Sequence, residues 1–379
     1  MSDFAVRGWC PSAWRPMMAG DGLIVRVRPR LGRLSRAQAL ALCALAREYG
    51  SGAIDLSRRA NLQIRGVTEA GWAALLEQLV ALELVDARPD TENRRNILVA
   101  PDWTAGDDTF RIAGALASAQ VRLPELPGKM GFAVDAGAAP ILGGSPADFR
   151  IERGEGGGLI LRADGRAQGI PVAVDEAVGA LVELAEWFAA SGGIASGRMA
   201  SHRAELPGWA RGWVSPASPR PVIGPGAHAM GHACGAAFGS VEAAALTSLV
   251  TRSGAAALRI TPWRVLLLEG ANPLPDPVGD GFVSDPADPA MRVDACPGAP
   301  LCPQATVATR PLALRLAAHV PGRLHVSGCA KGCARSAPAS VTLTGRNGRF
   351  DLSIDAAAGD PPCRSGLDLP QLLAHFGAE

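Results

Sequence analysis

The chain has 379 residues, enough for roughly two to four compact units, and its hydrophobic content of 48% is typical of a globular protein. A net charge of +1 provides no overall attraction to nucleic acid or to a membrane surface. Charged residues interrupt the N-terminus and no apolar run is long enough for a membrane span, so the sequence predicts a cytoplasmic protein with neither kind of partner.

Strand and helix patterns occur in the same order in two parts of the chain. The first copy is predicted to form a strand at 23–30, a helix capped by Ser35 and ending near Gly50, strands at 53–57 and 61–65, and a helix at 68–84. In the second copy, Ser240 is predicted to cap a helix that runs to about Arg252, and strands follow within 257–268. The shared order predicts two half-domains that pair about a pseudo-twofold axis.

The segments around the second copy have other patterns. Glycine turns bound hairpin-like strands at 131–137 and 158–165, and residues 172–190 show the spacing of an amphipathic helix. Residues 196–236 and 271–300 are rich in Gly, Pro and Ala and are predicted to be linkers and long loops.

Four of the eight cysteines form a C-x5-C pair, Cys296 and Cys302, followed by a C-x3-C pair, Cys329 and Cys333. Four thiolates on two short loops can hold an iron–sulfur cluster. Zinc also takes four cysteines, although C-x5-C is wider than its usual spacing, and four unliganded cysteines are the other alternative. The remaining cysteines have no spacing partner and are not predicted to bind metal: Cys10, Cys43, Cys234 and Cys363.

Polar side chains alternate along the two adjacent strands of the first half-domain. Arg26 and Arg28 share one face of their strand, as Arg59, Asn61 and Gln63 share one face of theirs. A solvated sheet face is one explanation, but this face is predicted to carry arginines without acids, and arginine binds carboxylate or phosphate in bidentate fashion. No P-loop or strand-linked G-x-G-x-x-G is present. The predicted ligand is therefore a polyanion, with the candidate binding residues Arg26, Arg28, Arg59, Asn61, Gln63, Arg95, Asn96, Lys129 and Arg264.

His228 and His232 are four residues apart and could share a metal ion on a helix, although the surrounding glycines disfavour one. They are the sequence's weak candidates for a further metal site.

These motifs resemble those of the sirohaem-dependent nitrite and sulfite reductases along residues 20–375. The segment 57–63 resembles the T-x-R-Q-x-x-Q signature, Arg95-Asn96 the R-N element, and 126–129 the L-P-x-K element. The four cysteines match the family's [4Fe–4S] ligands, and the resemblance places Cys333 next to the macrocycle. The implied fold is α+β, with two ferredoxin-like half-domains in pseudo-twofold repeat interleaved with two α+β domains of the nitrite/sulfite-reductase type. The predicted boundaries are 1–88, 89–200, 201–285 and 286–379, the last unit carrying the cysteines.

Within this family, the opening Gly8-Trp-Cys10-Pro, the segments 20–28 and 59–66, and Thr261-Pro-Trp-Arg264 resemble the branch that acts in aerobic cobalamin synthesis. That resemblance implies a monooxygenase that takes precorrin-3A, O2 and electrons from NADH, hydroxylates C20 and closes a γ-lactone. Oxygen activation normally needs an open metal position or a flavin, so a mononuclear non-haem iron is a further expectation, with ligands that the sequence does not identify. No NADH-binding motif is evident, which favours a separate reductase as the electron donor.

Two positions depart from the reductase pattern. Ala60 replaces the signature glutamine, and Gly131 stands where many reductases have a second active-site lysine. Both changes weaken anion handling at sirohaem, so sirohaem is expected only if the protein is a sulfite or nitrite reductase. A non-catalytic tetrapyrrole or iron–sulfur carrier is the remaining alternative.

Overall fold

The computed structural model describes residues 11–271 and 281–378. Most of the predicted opening motif, including Cys10, lies outside this part of the chain, as do residues 272–280 of the predicted loop at 271–300. Among the described residues, no helix is both long enough and apolar enough to cross a bilayer.

The strands are β1 (Met17–Ala19), β2 (Gly22–Val27), β3 (Arg33–Ser35), β4 (Ala53–Leu56), β5 (Leu62–Val67), β6 (Ile97–Val99), β7 (Phe132–Asp135), β8 (Phe149–Arg153), β9 (Leu159–Ala163), β10 (Ile170–Val172), β11 (Gly226–His228), β12 (Gly231–Gly235), β13 (Ser240–Glu242), β14 (Ala257–Ile260), β15 (Val265–Glu269), β16 (Val293–Ala295), β17 (Leu324–Ser327), β18 (Ala339–Arg346), β19 (Arg349–Ala356) and β20 (Arg364–Leu367). The α-helices are α1 (Arg36–Tyr49), α2 (Glu69–Ala81), α3 (Pro89–Arg94), α4 (Asp108–Ser118), α5 (Ala177–Ala190), α6 (Gly193–Ser196), α7 (Ala243–Ser253), α8 (Arg310–Leu316) and α9 (Leu369–Phe376).

The two predicted copies form two sheets that exchange a strand. The sheet orders are β1-β2-β5-β4-β13 and β11-β12-β15-β14-β3, so each copy supplies one edge strand to the other sheet. The copies also share unusual backbone positions, since Leu31 and Phe238 are both left-handed, as are Ala60 and Arg264. The exchange confirms the predicted pairing of two related half-domains, which share one hydrophobic core.

Local signals located the first helix well and the second less well. Ser35 Oγ accepts from Gln38 N while the Gln38 side chain accepts from Ser35 N, and α1 ends at Gly50 as predicted. In the second copy, Ser240 does not cap a helix but begins β13, and α7 starts three residues later. The reason is tertiary, because Ser240 pairs with Asp55 of the other sheet and is held in a strand.

The other two sheets share a second topology. Their orders are β10-β9-β8-β7-β6 and β16-β17-β18-β19-β20, and in each the first three strands in the chain are parallel while the last two pair antiparallel. The predicted strands at 131–137 and 158–165 exist, but β8 lies between them, so they do not form one hairpin. The predicted loop at 196–236 was wrong in part because it contains β11 and β12, and the loop at 271–300 contains β16. The α+β class is confirmed.

Candidate functional site

A cleft of about 590 Å³ lies where the two half-domains meet the cysteine-bearing sheet. This volume is in the range of small-molecule sites. The first half-domain contributes residues 55–58 and Gln63, and the second contributes 262–265. The third wall includes Cys296 and Cys333. We call this space the main cleft.

Parallel strand pairing brings the two cysteine loops together. Ala295 at the end of β16 pairs with Val326 of β17, so the loops that follow these strands leave the sheet at the same edge. Cys296 is buried, and its sulfur accepts a hydrogen bond from Gly328 N at 3.2 Å. Cys302 and Cys329 are half-buried and Cys333 is exposed. The sheet topology therefore gathers both sequence-predicted pairs.

Cys333 interacts electrostatically with the other three thiols. Although Cys333 is exposed as a residue, partial desolvation of its thiol raises its pKa, Lys331 lowers it, and Cys296, Cys329 and Cys302 raise it further. Across residues 11–271 and 281–378, no three His, Cys, Asp or Glu side chains are arranged to hold a single metal ion. An all-thiol set with a backbone N–H directed at one sulfur nevertheless suits an iron–sulfur cluster, whose thiolates bind separate irons and need not meet at one point.

The loop of Cys302 packs against the first half-domain. A Cβ atom at Gly20, in the turn between β1 and β2, would lie 2.5 Å from the Leu301 carbonyl oxygen and 2.7 Å from Pro303 Cδ. Only glycine permits this approach of two backbones without displacement. The β1–β2 turn is thus a support for the loop that carries Cys302.

The polar face of the first half-domain sheet is buried rather than solvated. Arg26 pairs in register with Gln63, as strand alternation predicts, and the Gln63 amide oxygen, when oriented to accept, lies 2.8 Å from Arg26 Nη2. Arg26 is 9% exposed and Asn61 is 6% exposed. The prediction that this face has no acid was wrong, because Asp55 of β4 lies opposite Gln63. Predicted strand 23–30 also ends early, at Val27.

Arg65, on the same sheet, is fully engaged by acids. It donates to Asp21 at 2.7 Å and to Asp55 at 3.1 Å. These contacts hold the guanidinium in the sheet and balance its charge.

A buried carboxylate that sequence reasoning missed holds two of the predicted arginines. Glu92 has no exposed surface and accepts from Arg28 at 2.8 Å and from Arg95 at 3.0 Å. Arg95 Nη2 also donates to the Arg28 carbonyl oxygen at 2.8 Å. Burial lowers the pKa of Arg95, and the charge of Glu92 raises it. The pair of arginines is therefore fixed in place by one acid.

The nine predicted binding residues do not share one cleft. Gln63 and Arg264 line the main cleft, whereas Arg28 and Asn96 line another of about 580 Å³. Arg59 donates to the Lys129 carbonyl oxygen, which brings two of the motifs together. Asn61 Nδ2 and Arg28 Nε are buried without a partner in the described part of the chain, so the polar face retains donors that a ligand could use.

The main cleft also contains cations that the sequence analysis did not select. They are Arg58, Arg310, Arg323 and Arg335. Arg335 follows Cys333 by two residues and Arg323 precedes β17, so a search for charges flanking the cysteine loops could have found both.

The prediction that His228 and His232 could share a metal ion was wrong. Ala227 pairs with His232 and His228 with Gly231, so the two histidines point to opposite faces of the β11–β12 hairpin. His228 Nδ1 accepts from Met230 N at 3.2 Å, and burial lowers the pKa of both rings.

His325 is a buried titratable group beneath the cleft wall. It lies on β17 opposite Asp294 of β16, has no exposed surface, and neither ring nitrogen has a partner among the described residues. Burial lowers its pKa to about 4, an effect that Asp294 opposes and Arg335 assists. Because the folded pKa lies below the ordinary value of 6.5, the stability from the neutral ring is present above pH 6.5 and is lost as the pH falls through 4.

We expect His325→Phe to remove about 3 kcal/mol of the decline in unfolding free energy between pH 6.5 and 4. Urea titrations at several pH values would measure it, with His319→Phe on the exposed surface as the control. A slope unchanged in His325→Phe would exclude this ring as the titrating group.

Comparison with known proteins agrees with this architecture. Residues 15–82 match the nitrite/sulfite reductase ferredoxin-like half domain. A ferredoxin–nitrite reductase of Synechococcus elongatus is 35% identical over 94 residues, covering 24% of this chain and 18% of that protein. The solved structure of the Mycobacterium tuberculosis NirA protein has the same fold, with a TM-score of 0.57 and 18% identity, covering 90% of this chain and 76% of that one.

A much longer match is to a precorrin-3B synthase of Sinorhizobium sp. It is 33% identical over 396 aligned positions, which cover 94% of this chain and 84% of the relative. The match spans both half-domains and both cysteine loops. The chain therefore belongs to the precorrin-3B synthase family, a branch of the nitrite and sulfite reductases.

Proposed function

We propose that this protein is a monooxygenase that converts precorrin-3A into precorrin-3B. One atom of O2 enters as a hydroxyl group at C20, the other leaves as water, and NADH supplies the two electrons through a donor that is a separate reductase. The carboxylate of the ring-A acetate then closes the γ-lactone by adding to the ring carbon next to C20, so the double bond between these two carbons is consumed and the product gains one oxygen atom overall. The observation that carries this proposal is the identity with a precorrin-3B synthase along nearly the whole chain.

The packing around Gly131 favours this reaction over sulfite or nitrite reduction. A Cβ atom at Gly131 would lie 2.8 Å from Asn96 Nδ2 and 3.1 Å from the Asn96 carbonyl oxygen. A lysine here, as in many reductases, would therefore have to displace Asn96, which donates to the Met130 carbonyl oxygen. Ala60, in place of the signature glutamine, adopts a left-handed conformation with φ of 51° and carries no polar group.

The main cleft is the proposed position of the macrocycle. Precorrin-3A is a polycarboxylate, and arginines from all three walls of this cleft can donate charge-assisted hydrogen bonds to it. Of the predicted binding residues, Gln63 and Arg264 line the main cleft directly. The others are proposed to bind or orient the ligand from the adjoining polar face: Arg26, Arg28, Arg59, Asn61, Arg95, Asn96 and Lys129.

The cysteines are proposed to hold a [4Fe–4S] cluster, which supplies one-electron transfers when bound. Cys296 and Cys333 face the main cleft, so the proposed cluster and the proposed macrocycle are neighbours. The chain's own contribution is to hold the substrate by its carboxylates, with the ring against the cysteine wall.

Anaerobically purified protein tests the proposal. With precorrin-3A, O2 and an electron source, we expect a product 16 mass units heavier than the substrate, and 18 units heavier when ¹⁸O2 is supplied. Absence of the product would favour a carrier. A strong Soret band, sirohaem extractable into acid acetone and consumption of sulfite or nitrite would instead identify a reductase and overturn the proposal.

A further inference from the structure

Three arginines converge on a single carboxylate where the second half-domain meets the cysteine-bearing wall of the main cleft. Arg323 contacts Asp294 at 3.0 Å, Arg264 at 3.4 Å and Arg335 at 3.7 Å. They come from three separate segments: the β14–β15 turn, the residue before β17, and the residues after Cys333. We call Arg264, Arg323 and Arg335 the Asp294 trio. One acid cannot balance three guanidinium groups, so this wall carries excess positive charge.

Hydrogen bonds to backbone carbonyl oxygens help to hold the side chains of the trio in place. Arg264 donates to the carbonyl oxygens of Met291 and Val293, and Arg335 Nε donates to the Pro338 carbonyl oxygen at 2.9 Å. Arg264 also adopts a left-handed backbone conformation with φ of 62°, which a non-glycine residue rarely holds without surrounding constraint. A surface ion pair serves stability poorly, whereas fixed guanidinium groups in a cleft are suited to ligand recognition.

Arg323 and Arg335 are the two members with most room for a ligand. Their side chains are 39% and 28% exposed, against 17% for Arg264. Within the described ranges, the Arg323 side chain uses one terminal nitrogen, Nη1, to donate to Asp294. Both groups line the cleft together with Cys333, so carboxylates bound by them would lie beside the cysteine wall.

We propose that the Asp294 trio recognises the acetate side chains of a tetrapyrrole and selects macrocycles that retain them. This inference rests on the proposed function, which it deepens by assigning recognition to the second half-domain and the cysteine-bearing sheet. Residues of the first half-domain form the facing wall, so the substrate is held from two sides. A macrocycle that lacks acetates would leave the positive charge of the trio unneutralised. The free-energy cost of that charge would favour macrocycles that retain their acetates.

Fluorescence quenching with two porphyrins tests the trio without turnover. Uroporphyrin carries acetates and propionates, whereas coproporphyrin has methyl groups in place of the acetates. Wild-type protein is expected to bind uroporphyrin about tenfold or more tighter than coproporphyrin, and the Arg323→Gln, Arg335→Gln double variant is expected to lose most of that preference. Arg346→Gln is the matched control, because Arg346 pairs with an acid, Asp351, at 3.1 Å but does not line the cleft.

The possible outcomes separate the two proposals. If the double variant keeps the wild-type preference, or if the control loses as much, the trio does not recognise acetates, while the proposed reaction is unaffected. If the wild-type protein binds both porphyrins equally, the selection is also excluded. The proposed reaction is tested by separate measurements, namely product formation with ¹⁸O2 and the assay for sirohaem and for sulfite or nitrite consumption.

Discussion

Cys296→Ser is expected to abolish the visible absorbance of the protein after iron–sulfur reconstitution. Cys296 is buried, its sulfur accepts a backbone hydrogen bond, and it lies closest to the sheet that supports both cysteine loops. A serine hydroxyl is a harder ligand than thiolate and does not deprotonate readily, so the cluster would lose one of its four attachments. Absorbance near 400 nm, EPR after reduction, and iron and sulfide content measure the result.

Cys363→Ser is the matched control for this variant. Cys363 is exposed, and its Sγ contacts the Leu352 carbonyl oxygen at 3.2 Å rather than another thiol. This variant is expected to keep the full absorbance and iron content of the wild type. Full absorbance in Cys296→Ser would exclude the proposed ligand set, and loss in both variants would indicate a general folding defect instead.

Glu92→Gln is expected to lower the unfolding free energy by about 3–5 kcal/mol, the range for removing one partner of a buried ion pair. The Glu92 carboxylate accepts from Arg28, Arg95 and Asp86 N, all within 3.0 Å. An amide in its place leaves two buried guanidinium groups without their counter-charge and presents N–H groups to them. Urea titration at neutral pH measures the change.

Glu183→Gln, on the exposed side of α5, is the control and should change the free energy by less than about 0.5 kcal/mol. An effect of Glu92→Gln as small as this would show that Arg28 and Arg95 do not depend on the carboxylate. The result also bears on ligand binding, because arginines released from Glu92 could adopt other rotamers.

The features that the local sequence predicted best were those that depend on residues only a few positions apart in the chain. The capping box at Ser35 depends on residues three apart, and it located the start of α1. Alternation along β2 and β5 assigned Arg26 and Gln63 to one face, since side chains alternate along any strand. The two halves of the repeat were recognisable because element order survives where residue identity does not.

Three predictions that depended on tertiary neighbours failed. Ser240 was predicted to cap a helix, but it begins a strand because its partner, Asp55, belongs to the other half-domain. The polar face of the first sheet was predicted to be free of acids, but Glu92 and Asp55 reach it from other segments. His228 and His232 are close in sequence yet lie on opposite faces of a hairpin.

The sequence by itself determined the chemistry that this protein has available, namely four thiols in two short loops and a set of arginines at strand spacing. The tertiary structure alone decided which of these groups meet. Parallel pairing of β16 and β17 places both cysteine loops at one edge of the sheet. Ion pairs with Asp294 of β16 bring Arg264, Arg323 and Arg335 together from three separate segments. The physical reason is that strand pairing and ion pairing join residues far apart in the chain, and no local pattern encodes those partners.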